Sequence, residues 1–168
     1  MSISEATYLD LASGEYQNSE YAVGDKLGSK TQTPVLTSTA EDPKKYENNG
    51  LQGSIVKVKG QTVVVFRGSQ SMGTTEGNKD WLTDAGLNNP QGYQDASSQF
   101  KDADAWINQE QQAGNFPKDL SNVTFTGHSL GGGLAQYEAA KNDAYAVSFS
   151  DPIPWNMLKM KVANEKQL

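Results

Sequence analysis

The chain has 168 residues, 14 basic against 20 acidic side chains and a net charge of −6, with a pI near 4.7. That length suits one domain, and that charge argues against a nucleic acid as partner, since phosphate-backbone affinity comes largely from Lys and Arg. With no cysteine and a single histidine, His128, the sequence excludes disulfides, thiolate or multi-histidine metal sites and a cysteine nucleophile.

Taken in chain order, Ser4 opens a helical pattern through Tyr8, Leu9, Leu11 and Ala12, which Gly14 ends because glycine tolerates a left-handed helix terminus. No basic segment followed by an apolar core opens the chain, so no secretory signal is visible and the compartment stays open between cytoplasm and another export route. Residues 15–50 are polar and read as loops around one short strand near Val35-Leu36. Ser54–Lys59 alternates weakly, as a half-exposed strand does. A Gly60-Gln61 turn then leads to Thr62–Phe66, whose unbroken apolar run predicts a strand buried on both faces. Residues 67–92 read as a long loop. Ala96, Phe100, Ala103, Trp106 and Ile107 then give one face of a helix between Tyr93 and Gln112, broken at Gly114–Pro117.

A strand Val123–Thr126, a helix Gly131–Lys141 and a strand Ala144–Phe149 follow, and the tail beyond Pro152 and Pro154 turns polar. Strands alternating with helices predict an α/β fold whose sheet is mostly parallel, becoming so from about Val63, with flanking helices. We expect a single domain over residues 1–168, with 1–50 as a helical and loop lead-in and 53–155 as the core. No apolar run approaches the length of a membrane span, so any membrane contact would be a transient one at the surface.

Gly127-His128-Ser129-Leu130-Gly131 is a Gly-x-Ser-x-Gly pattern between the Val123–Thr126 strand and the helix-forming run from Leu134. Strand, tight turn and helix are what a nucleophile elbow needs: the serine sits on a strained turn above the sheet, and the residues two before and two after it must lack a Cβ. Gly127 and Gly131 meet that demand. An ordinary glycine-rich turn is the plain alternative. Gly131-Gly132-Gly133 is no phosphate loop, since no Lys-Ser or Lys-Thr follows it, and Asp102 and Asp104 lack the rest of a calcium loop.

The stretch Gly127–Ala135 resembles the elbow of class 3 lipases and the related bacterial phospholipase A1 enzymes. Val63-Val64-Val65-Phe66-Arg67-Gly68-Ser69 resembles the same family's strand ending in R-G-T or A-G-T, and Asp80-Trp81-Leu82-Thr83-Asp84 resembles its D-W-x-x-D/N stretch. The three matches agree in order and cover roughly residues 50 to 155. The resemblance implies an α/β-hydrolase fold and serine hydrolysis of lipid esters through an acyl-serine intermediate, without cofactor or metal. It makes Ser129 the nucleophile, with Leu130 by its backbone N–H and Ser69 by backbone and hydroxyl as the oxyanion hole. It also makes Gly68 the residue that lets the loop approach the carbonyl. Asp80, Trp81 and Asp84 read as bracing for that loop or as a solvated turn with one buried tryptophan, and the small-residue segment Gly73–Gly77 as a lid hinge or a plain surface loop.

The family's base is a histidine that follows the serine, yet none follows Ser129. His128 is the immediate neighbour and projects elsewhere, so we assign it a structural role. Asp151 ends the strand before the one that normally carries the family's acid, and Asp143 and Glu165 have no positional argument. The expectation is therefore a hydrolase domain lacking its C-terminal part, weak or inactive as this chain. The alternative is a non-catalytic module that binds a lipid or a protein partner.

Overall fold

The computed structural model describes residues 2–16, 22–46, 50–68 and 90–149. Helix α1 spans Glu5–Gly14, with the Ser4 hydroxyl accepting from the Thr7 N–H as N-cap. Gly14 ends it for a reason the sequence does not announce. Its φ is not left-handed; instead the loop after the first strand runs so close that a Cβ would stand 2.8 Å from the Gly28 nitrogen.

Strands β1 (Lys26–Leu27) and β2 (Thr33–Ser38) lead to a short helix α2 (Pro43–Tyr46). Strands β3 (Gly53–Val58) and β4 (Gln61–Phe66) follow, then a long helix α3 (Pro90–Gln112), β5 (Val123–His128), α4 (Leu130–Asn142) and β6 (Tyr145–Phe149). The six strands form one sheet in sequential order. This is the α/β architecture expected, and the parallel half begins at β4 as expected, with β4–β5 and β5–β6 parallel.

The proportion differs from a mostly parallel sheet: β1–β2, β2–β3 and β3–β4 are antiparallel, so the sheet is mixed. The short β1–β2 and β3–β4 connections can return the chain only antiparallel, whereas β4 to β5 and β5 to β6 are joined through helices. Strands β2 and β3 are antiparallel across a longer connection that carries α2. The β3–β4 turn also sits one residue earlier than predicted. Val58 pairs with Gln61, and the turn residues are Lys59 and Gly60 at φ 50° and 78°, the double positive φ of a type I′ turn.

Strand β4 is buried on both faces, and its alternation splits the core in two. Val64 and Phe66 join Ile55, Phe100, Trp106, Phe125, Leu134 and Tyr137 on the side of α3 and α4. Val63 and Val65 join Tyr8, Leu11, Leu27, Val35, Val56 and Val58 on the side of α1. The described part of the first fifty residues thus supplies α1, the short α2 and two strands to this framework. Their short, polar strands gave a weak periodic signal, which left only the one around Val35 legible.

Candidate active site

The carboxyl end of β5 meets the amino end of α4 at Ser129, whose φ of 59° and ψ of −122° are rare for a residue with a side chain. Holding such a conformation costs about 1–3 kcal/mol, so the surroundings must impose it. They do so through three contacts. The Ser129 N–H donates to Phe149 O of β6 at 2.8 Å, which pins the turn to the neighbouring strand. A Cβ on Gly127 would overlap the backbone of Gly131 and lie 2.8 Å from Phe66 O. A Cβ on Gly131 would overlap Phe66 O and lie 2.9 Å from its carbonyl carbon. Both glycines are therefore required by backbone packing.

A further glycine lets α4 approach the sheet closely. Gly132 is buried, and a Cβ there would stand 3.2 Å from both Gly127 O and Ser148 Cβ. Gly133 N–H is bonded to Ser129 O at 3.2 Å, so the N–H groups of Leu130 to Gly132 precede the helix's own ladder. Ser129 offers no side-chain cap. Its residue is 2% exposed, and its Oγ has no hydrogen-bond partner among the described residues. A buried hydroxyl without a partner is uncommon in a folded protein and calls for an explanation in strain or chemistry.

His128 faces away from that hydroxyl's needs. Its Nδ1 lies 3.1 Å from the Tyr16 hydroxyl, which also donates to His128 O at 3.1 Å, and the two rings pack edge to face at 5.6 Å. Burial lowers the imidazole pKa, so the ring is held neutral. Beside it lies a buried polar group with no counterpart in the sequence reading. Glu15 Oε1 accepts from the Ser54 hydroxyl at 2.9 Å, and Arg67 is buried nearby at the end of β4. Burial pushes the Glu15 carboxyl up to about 8, against the pull of the Ser54 hydrogen bond and the Arg67 charge.

The structure therefore brings together Gly68, Gly127, His128, Ser129, Leu130 and Gly131 at the carboxyl ends of β4 and β5. Ser69, Asp80, Trp81, Asp84, the Gly73–Gly77 segment, Asp151 and Glu165 lie outside the described residues. Asp143 is far from a catalytic posture: it caps the opposite end of α4 in a left-handed conformation, its N–H bonded to Ala139 O. Sequence reasoning missed Glu15, Tyr16 and Ser54. No local pattern marks them, because they reach the site only when α1 and β3 pack beside β4. Among the described residues no group of three or more His, Cys, Asp or Glu side chains could hold a metal.

A family model for a phospholipase-like, Tle-like phospholipase domain matches residues 8–151, nearly the whole of the chain just described. The chain belongs to that family. No curated protein matches the sequence. A crystal structure of a mutant form of MDLA from Penicillium cyclopium is similar over 89% of this chain, at 21% identity and a TM-score of 0.44. The domain spans 63% of that chain's length. Among the described residues no helix is long and apolar enough to cross a membrane.

Proposed function

We propose that this phospholipase-like domain is a serine carboxylic-ester hydrolase of the class 3 lipase or phospholipase A1 type. In this reading Ser129 Oγ attacks the acyl carbonyl of a lipid ester, an acyl-serine forms, and the alcohol or lysolipid leaves. The Leu130 N–H and Ser69 take the oxyanion, aided by the positive end of α4. Gly68 keeps the loop close enough to reach the carbonyl. The observation that carries the reading is the strained Ser129 backbone, flanked by two glycines at positions where a Cβ would have no room. Backbone strain of that kind concentrates where a side chain must be presented for chemistry.

A serine hydroxyl needs a proton acceptor. The one histidine of this sequence has its Nδ1 against Tyr16. We therefore propose that the chain turns over esters slowly. That same observation favours the second reading, a hydrolase-like module that binds a lipid or a protein without turnover. A fluorophosphonate probe, read by mass on wild type and Ser129→Ala, separates the two. The hydrolase reading expects covalent labelling that Ser129→Ala abolishes, and nitrophenyl ester turnover that falls with it. Absence of labelling in the wild type overturns it.

A further inference from the structure

Tyr16 follows α1 and stands outside every role assigned above, yet two separate parts of the site meet at its hydroxyl. His128 O and His128 Nδ1 are each 3.1 Å from it, and the backbone of Gly68 is hydrogen-bonded to it. Gly68 is packed so closely that a Cβ would overlap the Tyr16 oxygen and lie 2.9 Å from His128 O. The hydroxyl thus lies between the residue preceding Ser69 and the residue preceding Ser129.

The hydrogen-bond inventory of a phenol fixes how these contacts are made. It has one proton to give and two lone pairs to offer. His128 O can only accept, so it takes the phenolic proton. The Gly68 N–H can only donate, so it takes one lone pair. The remaining lone pair meets Nδ1, which must then carry a proton, leaving Nε2 bare. All three contacts are satisfied together only in this tautomer. Burial keeps the phenol protonated, its pKa pushed up to about 12, and keeps the imidazole neutral, so both partners are in the required state near neutral pH.

We propose that Tyr16 is a positioning residue whose hydroxyl ties Gly68 to His128, so that the end of the β4 segment and the turn carrying Ser129 keep one fixed separation. Its consequence for rate rests on the ester-hydrolase reading, because Gly68 and His128 immediately precede in sequence the two residues, Ser69 and Ser129, to which that reading gives the oxyanion and nucleophile roles. Misplacement of such groups by about 1 Å can cost on the order of a hundredfold in rate.

The test uses the full chain and its Tyr16→Phe variant, which loses one oxygen and keeps the ring. His128 is the single histidine, so the imidazole nitrogen spectrum reports one ring without assignment. The wild type is expected to show a proton on Nδ1; a ring protonated on Nε2 overturns the assignment with no variant needed. In Tyr16→Phe the tautomer is expected to shift toward Nε2–H and the Gly68 amide to exchange at least about tenfold faster. Fluorophosphonate labelling of Ser129 is expected to slow by roughly ten- to a hundredfold. Unchanged imidazole and amide signals overturn the tie, and changed signals with an unchanged labelling rate overturn the positioning role. A wild type that does not label removes the hydrolase reading, and the tie is then decided by the two spectroscopic measurements alone.

Discussion

On the α3 and α4 side of the sheet the core is aromatic and tightly interlocked. Phe66 stacks on Phe125 at 6.3 Å and meets Trp106 edge to face at 6.0 Å, while Phe100 meets Tyr137 at 4.8 Å. On the α1 side the core is Tyr8 and Leu11 against a carpet of valines. The first side supplies the elbow through α4; the second supplies Tyr16 and Glu15 through the end of α1. The candidate site is thus assembled from both layers at the carboxyl ends of β4 and β5. The Ser129 turn belongs to the aromatic side, and the Tyr16 contacts with His128 come from the other.

The largest effect should come from the point where the α4 side touches the sheet without any slack. Gly131→Ala would drive a Cβ into Phe66 O, and Phe66 is paired with Gly127 in the β4–β5 ladder. Neither backbone can yield without opening that ladder, so we expect a loss of at least about 4 kcal/mol, or no folded protein. Gly132→Ala is the control: with neighbours at 3.2 Å it should cost about 1–3 kcal/mol. Denaturant midpoints of the two variants check the ordering, and equal midpoints would remove the steric argument. Next in size is a direct contrast of the two layers. Trp106→Ala, at 1% exposure, should cost about 3–5 kcal/mol, and Leu11→Ala, at 0%, about 2–5 kcal/mol.

These expectations also mark what the sequence could say. The Val63–Phe66 run and the Gly127–Gly131 spacing are local signals, and both led to the observed strand and turn. Here strand period, glycine placement and helix propensity all agree. The α1 side was harder to read. Lys26-Leu27 is too short for any periodicity, and Gly14 is explained by a contact with Gly28 rather than by its own dihedrals. Lys59 took a positive φ that its residue type does not advertise, which moved the hairpin turn by one residue. Glu15, Tyr16 and Ser54 are distant in sequence from His128 and Arg67, so only tertiary packing reveals them.

Each layer also buries a carboxyl group, and the two make a finer contrast. Glu138 of α4 is raised well above 4.5 by burial and by Asp104, whose Oδ2 accepts from Tyr137 and pairs with Lys141 at 3.0 Å. Glu15 is raised from 4.5 to about 8 by burial. In both, the folded state holds the proton more tightly than the unfolded chain does. Their stabilisation is therefore fully present below about pH 4.5 and fades as pH rises through the folded value, near 8 for Glu15. Glu15→Gln keeps an acceptor for Ser54 and removes the titration, so it should gain on the order of 2–3 kcal/mol near pH 7 relative to wild type. Urea midpoints from pH 4 to 9 check this. The wild-type decline between pH 4.5 and 8 should flatten in the variant, and an unchanged slope would show that Glu15 does not titrate across that window.

The smallest expected effect tests whether α1 is held by its own end or by the sheet. Ser4 Oγ accepts from the Thr7 N–H at 3.2 Å and meets the Thr7 hydroxyl at 2.9 Å, at an exposed terminus. Ser4→Ala leaves that N–H to water and should cost about 1 kcal/mol, or roughly 2–4 °C in melting temperature for a chain of this size. Tyr8, Leu11 and Ala12 are buried along the helix, while Glu15 and Tyr16 lie beyond its far end. The frayed first turn should therefore exchange its amides faster while the Gly68 amide stays protected. Were Gly68 to lose protection along with the first turn, the cap rather than the packing would be setting the position of Tyr16. The α1 layer would then be coupled to the site along the whole length of that helix.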